Sequence, residues 1–290
     1  MKIQRLPLAA ALSALLLCAA LPTAMTREAK AQKESPIAVQ MYTLRSMPTL
    51  EAQLAAVKAA GITAIEIFGN QGVSAHELKA LVEKYGLKIV SAHVELSDLR
   101  ENFGAQVAFN KTLGNHMLVV PALILSQMPN KDPAGWAEAG HYLGEMARRL
   151  EAEGLSLAYH NHSYELVDFD GKTGLEIMFA AAGPSLQAEL DMSWVARAGY
   201  DPVEMLERFS GRVFAIHAKD RAPVGRADNH LGLATVGEGV LDWAAILPAA
   251  AQAGAQWYII EHDLPRDPAA AVKAGAAYLR AQLSSTSLTK

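Results

Sequence analysis

The chain has 290 residues, enough for one large α/β domain with a sizeable core, and 51% hydrophobic against 19% charged residues excludes a disordered polypeptide. A formal net charge of −4, with no run of Lys or Arg, gives no nucleic-acid footprint. The one cysteine, Cys18, excludes an intrachain disulfide framework.

Residues 1–31 read as a secretory signal peptide. Lys2 and Arg5 precede an apolar, Ala-rich run, residues 6–21, that is short for a membrane span, and Ala29-Lys30-Ala31 offers a small-x-small cleavage site. An earlier cut near Ala24 and an uncleaved anchor are the alternatives. Cleavage after Ala31 removes four basic residues and one acidic residue, which takes the net charge from −4 to −7. It also removes Cys18, so residues 32–290 form a mature domain without thiol chemistry. The expected address is periplasmic or secreted, with no stable membrane span after cleavage.

The mature region alternates strands and helices. Residues 37–45 read as strand one, with Gln40 and Tyr42 on its inward face. Residues 50–60 have helical apolar spacing and stop at Gly61; residues 62–68 are strand two, with Glu66 on the Ala64 face. Ser74 caps a helix to Tyr85, with Glu77 completing a capping box. Strand three, residues 87–93, ends in His93. A helix over 98–113, which Gly104 disfavours, leads to strand four at 116–121. Asp132-Pro133 opens a long helix to Glu153. Strand five follows, then a helix over 173–182, strand six at 186–194 and a helix over 201–209. Strand seven covers 212–220; a Gly-rich loop runs to Gly239, a helix from Asp242 to Ala253, and strand eight spans 256–263. A last helix starts at Asp267-Pro268 and ends near Leu283, before a frayed tail. Eight such units in some 250 residues predict a single-domain (β/α)8 TIM barrel, with a doubly wound open sheet as runner-up. No Gly-rich nucleotide fingerprint follows strand one.

Strand five carries the main functional signal. In S-L-A-Y-H-N-H-S-Y-E, Leu155, Leu157 and Tyr159 share one face, while Ser156, Ala158, His160 and His162 share the other. Large apolar groups suit the helix side; small residues leading into histidines suit a barrel interior that opens into a polar mouth. Three later strands end alike: Asp191 in E-L-D-M-S-W, His217 and Lys219 in F-A-I-H-A-K-D, and Glu261 and Asp263 in W-Y-I-I-E-H-D. Parallel strands bring these ends to one mouth. Two imidazoles and two carboxylates, His160, Asp191, His217 and Glu261, suit a divalent metal ion such as Mn, Co, Fe, Ni or Zn; Mg more often takes oxygen alone. Glu189 lies two residues before Asp191 on the same inner face, where a carboxylate needs a partner. Gln40, Tyr42, Glu66, His93 and Trp194 are candidate substrate contacts at the same strand ends.

At these residues the chain resembles the xylose isomerase-like TIM-barrel superfamily, in its sugar phosphate isomerase/epimerase branch. The segments are Q-M-Y-T-L-R, A-I-E-I-F-G, Y-H-N-H-S-Y-E, E-L-D-M-S-W-V-A-R-A-G-Y-D-P, H-A-K-D, V-G-E-G-V-L-D-W and Y-I-I-E-H-D, in that order across residues 37–263. The resemblance implies one divalent ion held from strands five to eight by His160, Asp191, His217 and Glu261. Ketose 3-epimerases of the family have a glutamate at the strand-five position that also moves a proton; this chain has His160. An imidazole nitrogen bound to metal cannot also serve as the base, so the base is sought in His162, Glu165, Lys219 or His93. The superfamily also holds a multi-zinc endonuclease; the acidic charge argues against that activity here, and no extra ligand set is evident.

The expected function is an exported, metal-dependent sugar or polyol isomerase/epimerase working through an enediolate. Glu261 would ligate and shuttle a proton, Lys219 would stabilise the enediolate, and His162 and Glu165 would assist. The alternative is a metal-dependent lyase or dehydratase on keto-sugars or keto-glycosides, which needs one base and one acid. A sugar-binding protein on a catalytically silent barrel is a third reading. The partner is a small sugar or polyol, not a nucleic acid, and an oligomer is compatible with the sequence.

Overall fold

A computed structural model describes Met1 and residues 35–123, 131–226 and 231–286. The predicted signal peptide, Cys18 and the last four residues of the tail lie outside the described residues. Eight short strands provide the frame: β1 (Ile37–Gln40), β2 (Ala64–Phe68), β3 (Lys88–His93), β4 (Met117–Val120), β5 (Ser156–His160), β6 (Leu186–Asp191), β7 (Val213–Ala218) and β8 (Trp257–Ile260). All neighbours pair in parallel, and β1 closes the ring on β8 through Ile37–Tyr258, Ala38–Ile259 and Val39–Ile260. The architecture is the predicted (β/α)8 barrel.

Helices α1 (Leu50–Ala59), α2 (Ala75–Lys84), α3 (Leu96–Glu101), α4 (Phe103–Leu113), α5 (Pro133–Ala152), α6 (Gly174–Ala182), α7 (Met192–Arg197), α8 (Pro202–Arg208), α9 (Trp243–Ala253) and α10 (Pro268–Thr286) alternate with the strands. Period-2 alternation divides the core in two. Outward residues such as Val39, Ile65, Leu157, Tyr159 and Ile216 pack with helix residues such as Leu54, Leu78 and Leu143. Inward residues form a smaller cluster in which Ala38, Ala64, Ala158 and Ala215 make room for Met117, Phe214 and Ile259. The inward residues turn polar toward the C-terminal strand ends, where Gln40, Glu66, Ser91, His93, His160, Glu189, Asp191 and His217 are all buried.

Two slips in strand pairing aim these groups. Ile65 pairs with Ile89 but Glu66 with Ser91, leaving Val90 as an extra residue in β3. Ala188 pairs with Val213 but Glu189 with Ala215, leaving Phe214 extra in β7. Each slip places the next inward side chains of two strands level with each other.

Several expected boundaries move. Strand one stops at Gln40, whose side chain accepts from Tyr42 N and opens a 3-10 turn, Met41–Leu44. The helix predicted over 98–113 is two helices; the break falls at Asn102 (φ −126°, ψ 32°), not at Gly104. Strand six ends at Asp191, because its carboxylate accepts from Trp194 N (2.9 Å) and caps α7. Strand seven ends at Ala218, and Asp220–Arg221 instead pairs antiparallel with Leu233–Ala234. A second ribbon pairs Asp168–Phe169 with Lys172–Thr173. Ser74 supplies half of its expected box, accepting from Glu77 N (3.3 Å), whereas the reciprocal box is formed by Thr173 and Glu176.

Candidate metal centre and substrate cavity

The inward positions of β5 to β8 and of the residues just past them converge at the mouth. One donor atom from each of His160, Asp191, His217 and Glu261 can be chosen so that all four lie within 4.8 Å of one another. Glu261 Oε2 is 2.8 Å from His217 Nδ1 and 2.6 Å from Lys219 Nζ. Lys219 also reaches Asp191 Oδ2 (2.9 Å) and Asp263 Oδ2 (2.8 Å), so one fully buried ammonium faces three carboxylates. Asn161 Oδ1 accepts from Asp191 N (3.0 Å) and fixes the backbone at that strand end.

The electrostatics sort these groups into roles. Burial would lower the Lys219 ammonium, but Asp191, Glu261 and Asp263 hold its pKa well above the ordinary value, so it stays charged. Burial would raise the Glu261 carboxyl; Lys219 and His217 hold it well below the usual range. Burial lifts Asp191 to about 6 against the pull of Lys219 and His217. Burial, then the neighbouring His217, push His160 well below the ordinary range. A neutral imidazole is the form that ligates a metal.

Nine buried side-chain N or O atoms among the described residues have no aligned hydrogen-bond partner, and seven lie here: His160 Nδ1, His162 Nδ1, Glu189 Oε2, Asp191 Oδ2, Trp194 Nε1, Lys219 Nζ and Asp263 Oδ2. Two of them, Asp191 Oδ2 and Asp263 Oδ2, sit at ion-pair distance from Lys219 Nζ without hydrogen-bond alignment. Buried polar atoms left in this state point to a missing partner, and the N/O donor set fits a divalent ion.

Above the centre lies a cavity of about 400 Å³, with His93, His160, His162 and Glu261 on its inner surface. Tyr42, Phe68, Val94 and Pro121 form an apolar wall; Glu95, Asp98 and Asp263 add acidic groups. Tyr42 and Phe68 meet edge to face with centroids 5.3 Å apart.

The remaining predicted site residues divide by depth. Tyr42, His93 and His162 line the cavity. Gln40 and Glu66 do not: they are fully buried below it, Gln40 Nε2 donating to Glu66 Oε1 (2.8 Å), so neither is placed to touch a substrate. Trp194 stands behind the wall, with its ring 5.4 Å from His162 and 5.2 Å from Lys219 Nζ. Glu165 faces away from the cavity. Its oxygens accept from Tyr159 OH (2.7 Å) and His162 N (2.9 Å), which makes it a buried anchor for the strand-five loop.

One grouping was not evident in the sequence. His93, His160, Glu189 and His217 form a second set of four donors, also within 4.8 Å of one another. Glu189 thereby finds the partners its inward position requires, with His93 Nε2 and His217 Nε2 each 2.9 Å from Oε1. Phe68 at the end of β2 and Glu95 and Asp98 at the start of α3 also line the cavity, and no ligand-type pattern in the sequence marks them.

Comparison with known proteins places the chain. The xylose isomerase-like TIM barrel family matches residues 54–282. The chain belongs to that family. It is 26% identical over 251 residues to the rhizopine catabolism protein MocC of Rhizobium meliloti, covering 76% of this chain and 75% of that one. A sugar phosphate isomerase/epimerase from Parabacteroides distasonis superposes with a TM-score of 0.67 at 23% identity, covering 87% of this chain and 96% of the other. The IolI protein, crystallised with a bound zinc atom, superposes with a TM-score of 0.70 at 18% identity, over 87% and 99% of the two chains. At these identities the two structures show a shared fold.

Proposed function

We propose that the protein is a divalent-metal-dependent isomerase or epimerase acting on an uncharged sugar or polyol. The observation that carries this is the His160, Asp191, His217 and Glu261 quartet beneath a solvent-connected cavity of small-molecule size. The family is enzymatic, and its sugar isomerase/epimerase character supports the reaction class.

His160, Asp191, His217 and Glu261 would hold the ion, which would supply Lewis acidity that lowers the cost of removing a proton next to a carbonyl. The chain's own groups do the rest. Glu261, kept ionised by Lys219 and His217, is the quartet's carboxylate that reaches the cavity surface, and it takes the proton. Lys219 does not line the cavity, but its buried ammonium stays cationic 2.6 Å from Glu261 and 2.8 Å from Asp263 on the cavity surface, so its field offsets negative charge that develops on substrate oxygen. His93 and His162 flank the same space and orient hydroxyl groups. No Lys or Arg among the described residues lines the cavity, and its acidic lining disfavours a phosphorylated substrate. Export, read from residues 1–31, is the proposed address; amino-terminal sequencing of the mature protein tests it.

Elimination is the second reading, favoured by one observation. His160 occupies the strand-five position and directs Nδ1 toward Glu189 at 3.4 Å, so no second carboxylate opposes Glu261 there. One base and one acid suffice to expel a β-leaving group. The experiment is solvent deuterium exchange at a sugar α-carbon, followed by NMR, on protein stripped with chelator and then resupplied with metal. Exchange lost and regained supports the proposal; exchange indifferent to both steps overturns it. Product mass separates isomerisation, which conserves it, from elimination.

A further inference from the structure

We propose that the substrate is a glycoside: its reacting sugar sits over the mouth quartet, and a second sugar unit occupies a separate compartment between the loops that follow β1 and β2. The inference rests on the proposed function and deepens it by naming what the reacting sugar is attached to.

The compartment is a cavity of about 330 Å³. Arg45 and Thr49 line it from the first loop, Gln53 from the first turn of α1, and Phe68, Asn70 and Gln71 from the end of β2 and the turn behind it. Phe68 and Gly69 stand in the walls of both this space and the mouth cavity. Tyr42 bridges them as well. It lines the mouth cavity, packs edge to face on Phe68, and carries the Arg45 guanidinium 3.7 Å over its ring. Arg45 Nη1 also donates to Tyr42 O (2.8 Å). Gly69 has open space where a Cβ would stand, so no side chain closes the shared wall there. Neither the mouth quartet nor the inner quartet, His93, His160, Glu189 and His217, lines the second space. Each volume is that of a small-ligand pocket.

Two observations point to a hydroxylated occupant. Gln53 is only 8% exposed, yet its Oε1 has no hydrogen-bond partner. A buried carboxamide oxygen needs a donor. A sugar hydroxyl supplies one, whereas an ionised carboxylate offers acceptors only and a hydrocarbon aglycone offers neither.

The second observation is the chemistry of the lining. It holds three carboxamides, a hydroxyl and a guanidinium, with no Asp or Glu; the mouth cavity holds Glu95, Asp98, Glu261 and Asp263, with no Lys or Arg. Thr49 Oγ1 accepts from Ala52 N (3.1 Å) and keeps its O–H to donate. Asn70 Oδ1 accepts from Gly72 N (3.0 Å), and Gln71 Nε2 donates to Phe68 O (2.8 Å). Each amide thus holds the turn by one end and leaves the other, Asn70 Nδ2 or Gln71 Oε1, for a ligand. The turn is sharply defined, since Gln71 takes a left-handed backbone (φ 55°) that residues with a side chain rarely adopt. Mixed donors and acceptors beside the Phe68 ring suit a sugar, which has hydroxyls on its rim and C–H groups on its faces. Holding this non-reacting unit orients the reacting one toward Glu261.

The test is calorimetric binding to the full-length protein loaded with Co²⁺. The probes are glucose, galactose and mannose, and the disaccharides maltose, cellobiose, lactose, melibiose and mannobiose. At least one disaccharide should bind about tenfold tighter than either of its hexoses. Gln53→Leu should lower that ratio about 3–10-fold, the loss of one hydrogen bond. If Gln53→Leu does not fold, Arg45→Met, at a partly exposed position, should lower the same ratio. The proposal is overturned if no disaccharide is preferred, or if the preference survives unchanged in the folded variant. Deuterium exchange on the same sugars separates the two readings. Metal-dependent exchange on a hexose without disaccharide preference discards the compartment alone. A preference lost in Gln53→Leu, with no exchange on any of these sugars, keeps the compartment and discards the proposed function alone.

Discussion

At residue 160 a carboxylate or an imidazole leads to different chemistry. His160→Ala removes a donor from the mouth quartet, so bound metal and activity should fall together, and excess metal should restore part of both; metal analysis beside turnover checks this. His160→Glu should retain metal, because carboxylate oxygen and imidazole nitrogen bind such ions at similar distances. It also supplies a carboxylate opposite Glu261, so the balance of products should shift toward epimerisation. Glu165 carries a prediction about stability. Burial raises its pKa from 4.5 to about 7, opposed by hydrogen bonds from Tyr159 and the backbone. A folded-state pKa above the unfolded one means that the folded protein binds the extra proton. Its contribution to stability is therefore full below pH 4.5, declines as pH rises between 4.5 and about 7, and is absent above that. Glu165→Gln should flatten that decline, which is at most about 3 kcal/mol for such a shift; denaturant unfolding of both proteins from pH 4.5 to 8 measures it.

Between elements, α5 and α6 approach each other closely. A Cβ on Gly140 would overlap the carbonyl oxygen of Met178, and one on Gly144 that of Ala182. These obstacles are backbone and cannot rotate away. Gly144→Ala should cost about 1–3 kcal/mol, read as a lower melting temperature. Gly104→Ala in α4, with nothing within 4 Å of the added Cβ, should be neutral or stabilising by up to about 1 kcal/mol. In the sequence those three glycines look alike, since helix propensity carries no information about a neighbour 38 residues on. The same distinction governs the site. His160, Asp191, His217 and Glu261 were legible because each ends an apolar run whose period of two fixes its face. The inner quartet was not, because His93 meets Glu189 across the barrel and the slips at Val90 and Phe214 alter strand phase. Asp220 ends the F-A-I-H-A-K-D run and, unlike His217 and Lys219, accepts from Gly237 N, Gly239 N, Leu241 N and Trp243 Nε1, pinning the residues at 237–243. Nothing local marks that role.

The whole molecule closes at one seam. β1 at the start of the domain pairs with β8 near its end, and Tyr258 N donates to Pro36 O (2.8 Å). Arg280 of α10 reaches back to the carbonyl of Ala60, and His262 N donates to Thr43 Oγ1 (3.1 Å). On the proposed assignment a metal binds only the closed barrel, since Glu261 follows the last strand. Metal should therefore raise the melting temperature in a concentration-dependent way, by about 2.7 kcal/mol of stabilisation at a hundred times the dissociation constant; calorimetry with and without chelator checks this. The seam also bears on how the chain is made. A growing polypeptide can form the six pairs from β1–β2 to β6–β7 before β8 is made, and the closing contact spans most of the sequence, a separation that slows folding. Until Trp257–Ile260 has been synthesised, β1 and β7 present open sheet edges that could capture a neighbouring chain. The vulnerable interval in the life of this protein is thus the time between the making of its seventh and eighth strands.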